Sequence, residues 1–334
     1  FMRNALTNML TSDPEIRVIA TARDGVEAVD KVVQHRPDVV TMDVEMPRMD
    51  GLEALRVIMD KHPVPVIMVS SLTTEGAKET LQALELGAVD FIPKNLSELS
   101  INIVKIKQLL IEKVKQIAKR GAVRRKARPA SEQAAAIAMP TKATGERRVG
   151  LVVIGSSTGG PRALQDLIPK LPKEFPVPIV IAQHMPPNFT APFAERLNQL
   201  SQISVKEAAE GDVLRPGAAL IAPGGGHMKL LRKTIDVVVT ISMNEEFIYR
   251  PSVDHLATSA AELFPGRALG VILTGMGNDG AAGLAAMKKS GCRIFAQNEE
   301  TCVVYGMPKA VVEAGIADKV LPIEEMAGEI INAV

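Results

Sequence analysis

The sequence predicts an α/β protein of two domains, each a doubly wound parallel sheet, with a β-hairpin added to the second. Three observations carry that prediction. The chain has 334 residues, long for one domain and comfortable for two. Short apolar runs alternate with helical periods and short connections in both halves, the pattern of parallel strands covered by helices on both faces. Between the halves, residues 119–148 lose both periods and gather charge, proline and glycine, which reads as a linker with solvated basic residues.

Residues 1–118 form the first predicted domain. Phe1 to Leu10 is an amphipathic helix stopped near Ser12-Asp13-Pro14, Ile16 to Thr21 a strand, and Gly25 to Gln34 a helix. Asp38 to Val44 is an apolar strand, Gly51 to Asp60 a helix, Val64 to Ser70 a strand and Glu75 to Leu86 a helix. Ala88 to Ile92 is a strand running into Pro93-Lys94, and Ile101 to Ala118 a long amphipathic helix. Polar residues end three of these strands: Asp43, then Ser70 with Ser71, then Lys94. Strand carboxyl ends of such a sheet share one edge, where ligands bind. Any one of these residues alone reads as a solvated loop residue. A carboxylate, a hydroxyl and an ammonium together suit a phosphoryl acceptor whose oxygens are held by donors.

The second domain, 149–334, is organised around Gly155-Ser156-Ser157-Thr158-Gly159-Gly160, set between the apolar run Val149 to Ile154 and a helix opened by Pro161. A strand, a tight turn and a helix start present N–H groups that stabilise negative charge, which suits either a phosphate cradle or a serine nucleophile. Val177 to Ala182 is a strand ending at Gln183-His184-Met185-Pro186-Pro187, Phe189 to Leu197 a helix, and Leu220 to Pro223 a short strand before Gly224-Gly225-Gly226-His227. Met228 to Leu231 and Ile235 to Ile241 form the hairpin, and Val253 to Phe264 a helix. Leu269 to Thr274 is a strand leading into Gly275-Met276-Gly277-Asn278-Asp279-Gly280, Ala281 to Lys289 a helix, Arg293 to Ala296 a strand, and Val311 to Ala314 helical.

Three parallel strands thus end near Ser157, His184 and Asp279. A hydroxyl, an imidazole and a carboxylate on one edge make a nucleophile, its base and the group that orients the base. Taken singly, Ser157 and Asp279 also read as helix N-caps and His184 as a loop histidine. His227, beyond three glycines, and His255, at a capped helix start, are competing bases without a strand-end position. A dinucleotide site asks for G-x-G-x-x-G and an acidic residue at the end of the next strand; here the turn is Gly-Ser-Ser-Thr-Gly-Gly and the next strand ends in His184. No Walker lysine follows the glycines either.

Composition narrows the function classes. Hydrophobic residues make up 46% and aromatic ones 3%, with no tryptophan, so the cores are aliphatic. A net charge of +1 supplies no global field for nucleic acid or anionic membrane. No helix-turn-helix or basic stripe accompanies the strand–helix alternation, which disfavours a DNA-binding regulator. Cys292 and Cys302 make no disulfide framework and lack metal-site spacing, as reduced thiols do. No apolar run approaches the roughly 20 residues that span a bilayer, and Phe1-Met2-Arg3-Asn4 lacks the apolar core of a signal peptide. The expectation is a soluble, cytoplasmic protein without direct membrane insertion.

Thr41-Met42-Asp43-Val44-Glu45-Met46-Pro47-Arg48-Met49-Asp50-Gly51 resembles the phosphoacceptor segment of response regulator receiver domains, which have a flavodoxin-like fold. That resemblance covers 1–118 and implies Asp43 as phosphoacceptor, Ser70 as switch hydroxyl, Phe91 as switch aromatic and Lys94 as phosphate-pairing lysine. It also implies Mg²⁺ as cofactor for phosphorylation, with Asp43 and the backbone carbonyl of Glu45 among its ligands. The family's first strand, which ends in two acidic metal ligands, has no counterpart in this chain. The expectation is a native protein with upstream residues, since a missing central strand leaves edges unpaired and a void.

Residues 149–334 resemble the catalytic domain of CheB-type chemotaxis methylesterases. The carrying motifs are Gly155 to Pro161, Gln183 to Pro186, Ala222 to Met228, Arg250 to Asp254 and Leu273 to Gly280. A receiver followed by this domain matches the family architecture over nearly the whole chain. The resemblance implies Ser157 as nucleophile, His184 as base, Asp279 as its orienter, the Met276 N–H as oxyanion donor and Thr158 at the site's edge. It implies hydrolysis of glutamyl γ-methyl esters on methylated chemoreceptors, deamidation of receptor glutamines and no cofactor for the esterase. The chemotaxis histidine kinase is the implied phosphodonor, with the receiver obstructing the cleft until Asp43 is phosphorylated. A phosphorylation-controlled binding protein without turnover is the second hypothesis, and the complete Ser157, His184 and Asp279 set argues against it.

Overall fold

Whether an apolar run becomes a strand depends on a neighbour that accepts its N–H and C=O groups, and one expected strand lacks such a neighbour. The structure, a computed structural model, describes residues 2–94, 100–126, 148–243 and 249–334. The chain divides into two compact units, Phe1–Ser131 and Glu132–Val334.

The first unit runs α1 (Met2–Thr11), α2 (Gly25–His35), β1 (Val40–Asp43), α3 (Gly51–Lys61), β2 (Val66–Ser70), α4 (Thr74–Glu85), β3 (Asp90–Pro93) and α5 (Ser100–Lys126). Its strands make a parallel sheet in the order β1-β2-β3. β2 is central and buried along its whole length. Side chains fix the helix starts: Asp24 accepts from the Glu27 N–H, Asp50 and Glu53 form a capping box, and Thr73 accepts from the Gly76 N–H.

The strand expected over Ile16 to Thr21 does not form. Residues 16–22, with β1 and parts of α1, α2 and α5, line a cavity of about 900 Å³. β1 pairs with β2 alone, and the cavity lies between its other edge and residues 16–22, which form no ladder. α5 departs from expectation in the other direction. It continues past Ala118 to Lys126. The remainder of the expected linker, 127–147, lies outside the described residues.

The second unit runs β4 (Leu151–Ser156), α6 (Gly160–Leu167), a 3₁₀ turn, β5 (Ile179–Gln183), α7 (Thr190–Leu200), β6 (Ser204–Glu207), β7 (Ala218–Ile221), β8 (His227–Lys233) and β9 (Asp236–Ser242). It continues with α8 (Val253–Leu263), β10 (Ala268–Ile272), α9 (Ala281–Lys289), β11 (Arg293–Gln297), α10 (Met307–Glu313), β12 (Lys319–Leu321) and α11 (Ile323–Ala333). Seven strands form one parallel sheet in the order β12-β11-β10-β4-β5-β7-β6. β8 and β9 form the expected hairpin, antiparallel from His227↔Ser242 to Lys233↔Asp236. It is tied to α8 by the Leu230 N–H, which donates to Ser259 Oγ at 3.1 Å.

β4 starts in the middle of this sheet. The chain builds β5 to β7 on one side, then crosses to build β10 to β12 on the other. Strand order reverses at β4, and ligands of open α/β sheets bind outside the carboxyl ends at such a point. Leu151, Val153, Val180, Leu256, Ile272 and Ile294 are fully buried around it. Burial of each such side chain is worth about 1.5–3 kcal/mol, which makes the sheet a rigid base for its carboxyl edge. Among the described residues no helix is long and apolar enough to cross a membrane.

Candidate active site

The β4–β5 ladder ends at the pair Ser156↔Gln183, so Ser157 and His184 are the next residues out on neighbouring strands. On the other side of β4 the ladder with β10 ends at Ile272↔Gly155. The loop after β10 then folds back over the β4 end. The Leu273 N–H donates to the Gly155 carbonyl at 2.9 Å, and the Ser157 N–H to the Thr274 carbonyl at 3.0 Å. Gly275 comes so close that a Cβ there would sit 2.9 Å from Ser157 Cβ and 2.2 Å from Met307 Sδ. Its carbonyl accepts from the Gly306 and Met307 N–H groups at 3.0 and 2.9 Å, which pins the loop. Met276 follows directly and is buried. The N-cap of α6 is Gly159, so Ser157 is not spent as a helix cap. Thr158 is buried, its carbonyl accepts from Thr274 Oγ1 at 2.9 Å, and its own Oγ1 has no hydrogen-bond partner among the described residues.

His184 and Asp279 are brought together, with Nε2 and Oδ2 2.7 Å apart. An ionised carboxylate only accepts, so the neutral form of His184 that this contact favours carries its proton on Nε2 and presents a lone pair on Nδ1. That Nδ1 is buried and has no hydrogen-bond partner among the described residues. It is thus available, and Ser157 Oγ does not hydrogen-bond it in this structure. The Tyr249 ring lies parallel to the imidazole, centroids 4.7 Å apart and planes 3° apart. Sequence reasoning missed Tyr249, and no local pattern marks a long-range ring contact.

Asp279 does not cap the helix that follows it, α9, whose N-cap is Gly280. It reaches instead to the start of α8. Oδ2 also accepts from the Val253 N–H at 2.7 Å, and Oδ1 accepts from Ser252 Oγ at 2.9 Å and the Asp254 N–H at 3.1 Å. Burial pushes the Asp279 carboxyl up, but the His184 contact and these helix-start N–H groups outweigh it and hold the group below its ordinary range. Asp254, in the first turn of α8, accepts from the Gly283 N–H in the first turn of α9 at 2.6 Å. Each helix start is therefore served by a carboxylate that belongs to the other. Burial, with the Asp279 charge nearby, pushes the Asp254 carboxyl up despite that hydrogen bond.

The competing histidines sit elsewhere. His227 is fully buried, and its Nδ1 accepts from the Ser252 N–H at 3.1 Å, so that nitrogen is occupied. His255 lies 5.4 Å from it between ring centroids, and its N–H donates to Ser252 Oγ, the N-cap of α8.

In the first unit Asp43 ends β1, Ser70 ends β2 and Lys94 follows β3. Lys94 Nζ lies 2.7 Å from Asp43 Oδ1 and 2.7 Å from Glu45 Oε2. Burial alone would lower the Lys94 ammonium, but the two carboxylates raise it, and Lys94 in turn holds the Glu45 carboxyl low. Ser70 is buried and donates to the Gly76 carbonyl at 3.0 Å, so its hydroxyl points to the first turn of α4 rather than to Asp43. Phe91 is buried in β3. Phosphorylation of a receiver typically uses Mg²⁺. Among the described residues no group of three or more His, Cys, Asp or Glu could hold a metal, and both acidic side chains at this edge are engaged by Lys94. The residues present fall short of a ligand set for the ion.

Fold and site together define a class: an α/β protein with a phosphoacceptor-type edge on one unit and a serine, histidine and carboxylate edge on the other. Residues 152–330 match the family model for CheB methylesterase, and residues 1–104 that for the response regulator receiver domain. A relative from Oleidesulfovibrio alaskensis named protein-glutamate methylesterase/protein-glutamine glutaminase 1 is 51% identical, over 100% of this chain and 96% of its own. One of the same name without the number, from Pyrococcus horikoshii, is 46% identical over 100% of this chain and 91% of its own. The solved CheB methylesterase catalytic domain of Thermotoga maritima is 46% identical, covering 56% of this chain and 100% of its own with a TM-score of 0.55. The chain belongs to the CheB methylesterase family, with a receiver domain ahead of the catalytic one.

Proposed function

We propose that this chain hydrolyses glutamyl γ-methyl esters on chemoreceptors, releasing methanol, and deamidates receptor glutamines, under control of phosphorylation at Asp43. The observation that carries the reading is His184, fixed by Asp279 through Nε2 and left with an available Nδ1 one residue beyond the β4–β5 ladder from which Ser157 also emerges.

In the proposed reaction, Ser157 Oγ bonds to the ester carbonyl carbon while its proton passes to His184 Nδ1. The Met276 N–H stabilises the oxyanion of the tetrahedral intermediate. The carbonyl–oxygen bond to the methoxy group then breaks, the His184 proton goes to the departing methanol, and an acyl-enzyme remains. Water, deprotonated by His184, attacks that ester and returns Ser157 and a glutamate side chain. A glutamine follows the same course with ammonia leaving. These steps balance without a cofactor. Thr158 borders the reacting serine.

Domain boundaries are assigned at 1–118 for the receiver, 119–148 for the connection and 149–334 for the catalytic domain. Asp43 takes the phosphoryl group from the chemotaxis histidine kinase, Lys94 and Ser70 hold its oxygens, and Phe91 responds as the switch aromatic. The site of action is the cytoplasm. The test is methanol release from methylated receptor, with and without a small-molecule phosphodonor, for the full-length protein and its Ser157→Ala variant. Turnover lost in Ser157→Ala and raised by phosphodonor in the unaltered full-length protein supports the reading. Near-normal methanol release from Ser157→Ala sinks it.

A further inference from the structure

Ser157 and His184 both lie just past the last rung of the β4–β5 ladder. The main-chain bond between them at that point is the His184 N–H donating to the Ser156 carbonyl at 3.1 Å. Beyond it the side chain of Gln183 takes over. Its Nε2 donates to the Ser157 carbonyl at 3.0 Å and to the His184 carbonyl at 3.0 Å. Its Oε1 accepts from Ser156 Oγ at 2.6 Å. Gln183 is only 2% exposed, so its amide has no water to fall back on. The two carbonyls demand the NH₂ group on their side, which fixes which way the amide faces. Reversed, its oxygen would confront both of them.

Room for this amide is made by Gly160. A Cβ at that position would lie 2.0 Å from Gln183 Oε1 and 2.9 Å from Ser156 Oγ. The turn thus gives up a side chain at the first position of α6 so that a glutamine from the neighbouring strand can reach beneath it.

We infer that Gln183 is a positioning residue for the hydrolysis: its amide sets the distance between the Ser157 and His184 backbones after the ladder has ended. The inference rests on the proposed roles of Ser157 and His184. A buried amide that only stabilised the fold would cost stability when removed. One that sets the separation of nucleophile and base costs turnover as well. Misplacement by about 1 Å can cost on the order of a hundredfold in rate.

Two substitutions disturb the bracket by separate routes. Gln183→Met keeps the length and removes every polar atom, leaving two carbonyls and a hydroxyl to rearrange. Gly160→Ala leaves the glutamine in place and displaces its amide from outside. The measurements are kcat and KM for methanol release from methylated receptor, with circular dichroism to establish the folded fraction. For each variant kcat per folded enzyme should fall about 30- to 300-fold, with KM changed less than about threefold. In a Ser157→Ala background the same changes should lower the residual rate by less than about threefold, because residues acting as a unit are not additive. If Ser157→Ala remains active, the proposed nucleophile is wrong and the inference falls with it. If Ser157→Ala is inactive while folded Gln183→Met or Gly160→Ala keeps its kcat, only the inference falls. Equal losses with and without Ser157 would also overturn it, since Gln183 would then act on the fold alone. Should Gln183→Met not fold, Gly160→Ala decides the question.

Discussion

The same kind of sheet edge occurs twice in this chain, with opposite treatment of its charge. At the receiver edge the Asp43 side chain is 24% exposed and its partner Lys94 17%. At the catalytic edge the His184 side chain is 10% exposed and Asp279 5%, and four donors surround the carboxylate. The proposed roles fit that difference: a phosphoacceptor needs charges within reach, whereas a proton-transfer geometry is held by buried, multiplied contacts.

The contrast is best broken at its rigid end. His184→Ala should cut turnover about 10³- to 10⁶-fold, and the His184→Ala/Ser157→Ala double variant should be little worse, as single-turnover methanol release will show. If His227→Ala matched that loss while His184→Ala stayed active, the base would be the other histidine. Asp279→Asn should lower kcat about 10⁴-fold, as loss of the orienting carboxylate does in serine triads, and should also destabilise the unit by about 1–3 kcal/mol.

Denaturant unfolding against pH separates those two effects. The folded Asp279 carboxyl lies below its unfolded value, so the unfolded chain binds more protons in the interval between them. Its stabilisation is complete above about pH 4 and is lost as pH falls through the lowered folded value, a loss that Asp279→Asn should abolish. Asp254 carries the opposite sign. Its stabilisation is complete below about pH 4 and is lost as pH rises through the raised folded value, so Asp254→Asn should flatten the curve on that side.

The open edge is expected to respond less steeply. Asp43→Asn should remove the rise in methanol release on adding phosphodonor, a rise bounded at roughly ten- to a thousandfold by a coupling of a few kcal/mol. A phosphodonor response that survives Asp43→Asn would place the acceptor elsewhere. The smallest effect is expected at Tyr249. Loss of a stacked ring worth about 0.5–1.5 kcal/mol predicts a fall of about two- to tenfold in kcat for Tyr249→Leu, with Tyr249→Phe close to the unaltered chain. Equal losses in both would assign the effect to the hydroxyl.

How far the sequence could be read follows the range of the interactions involved. Asp43, Ser70, Ser157 and His184 were legible as strand ends, because an apolar run and the polar residue that stops it are neighbours in the chain. The edge strands Ser204–Glu207 and Lys319–Leu321 went unseen, being short and largely exposed. Ile323, Met326, Ala327 and Ile330 line the buried face of α11 at helical spacing, a pattern the sequence does carry. Ile16 to Thr21 reads as a strand and forms none, because an apolar run does not reveal whether a ladder partner waits for it. Asp279 was legible as a polar residue in a glycine-rich loop, yet its reach to α8 was not, and Gln183 looked like part of a motif without a task. Both act through contacts between segments far apart in the chain, which periodicity does not encode.

Because Asp279 serves the start of α8 while Asp254 serves the start of α9, the carboxylate proposed to orient the base is also part of how the unit folds. A laboratory selection that scored only folded, expressed protein, blind to methanol, would still favour an acid at position 279. Random variants would be filtered for this residue before any enzyme assay was run. Ser157 has no such insurance, since α6 is capped at Gly159, and on the proposed mechanism only selection on turnover would keep the serine.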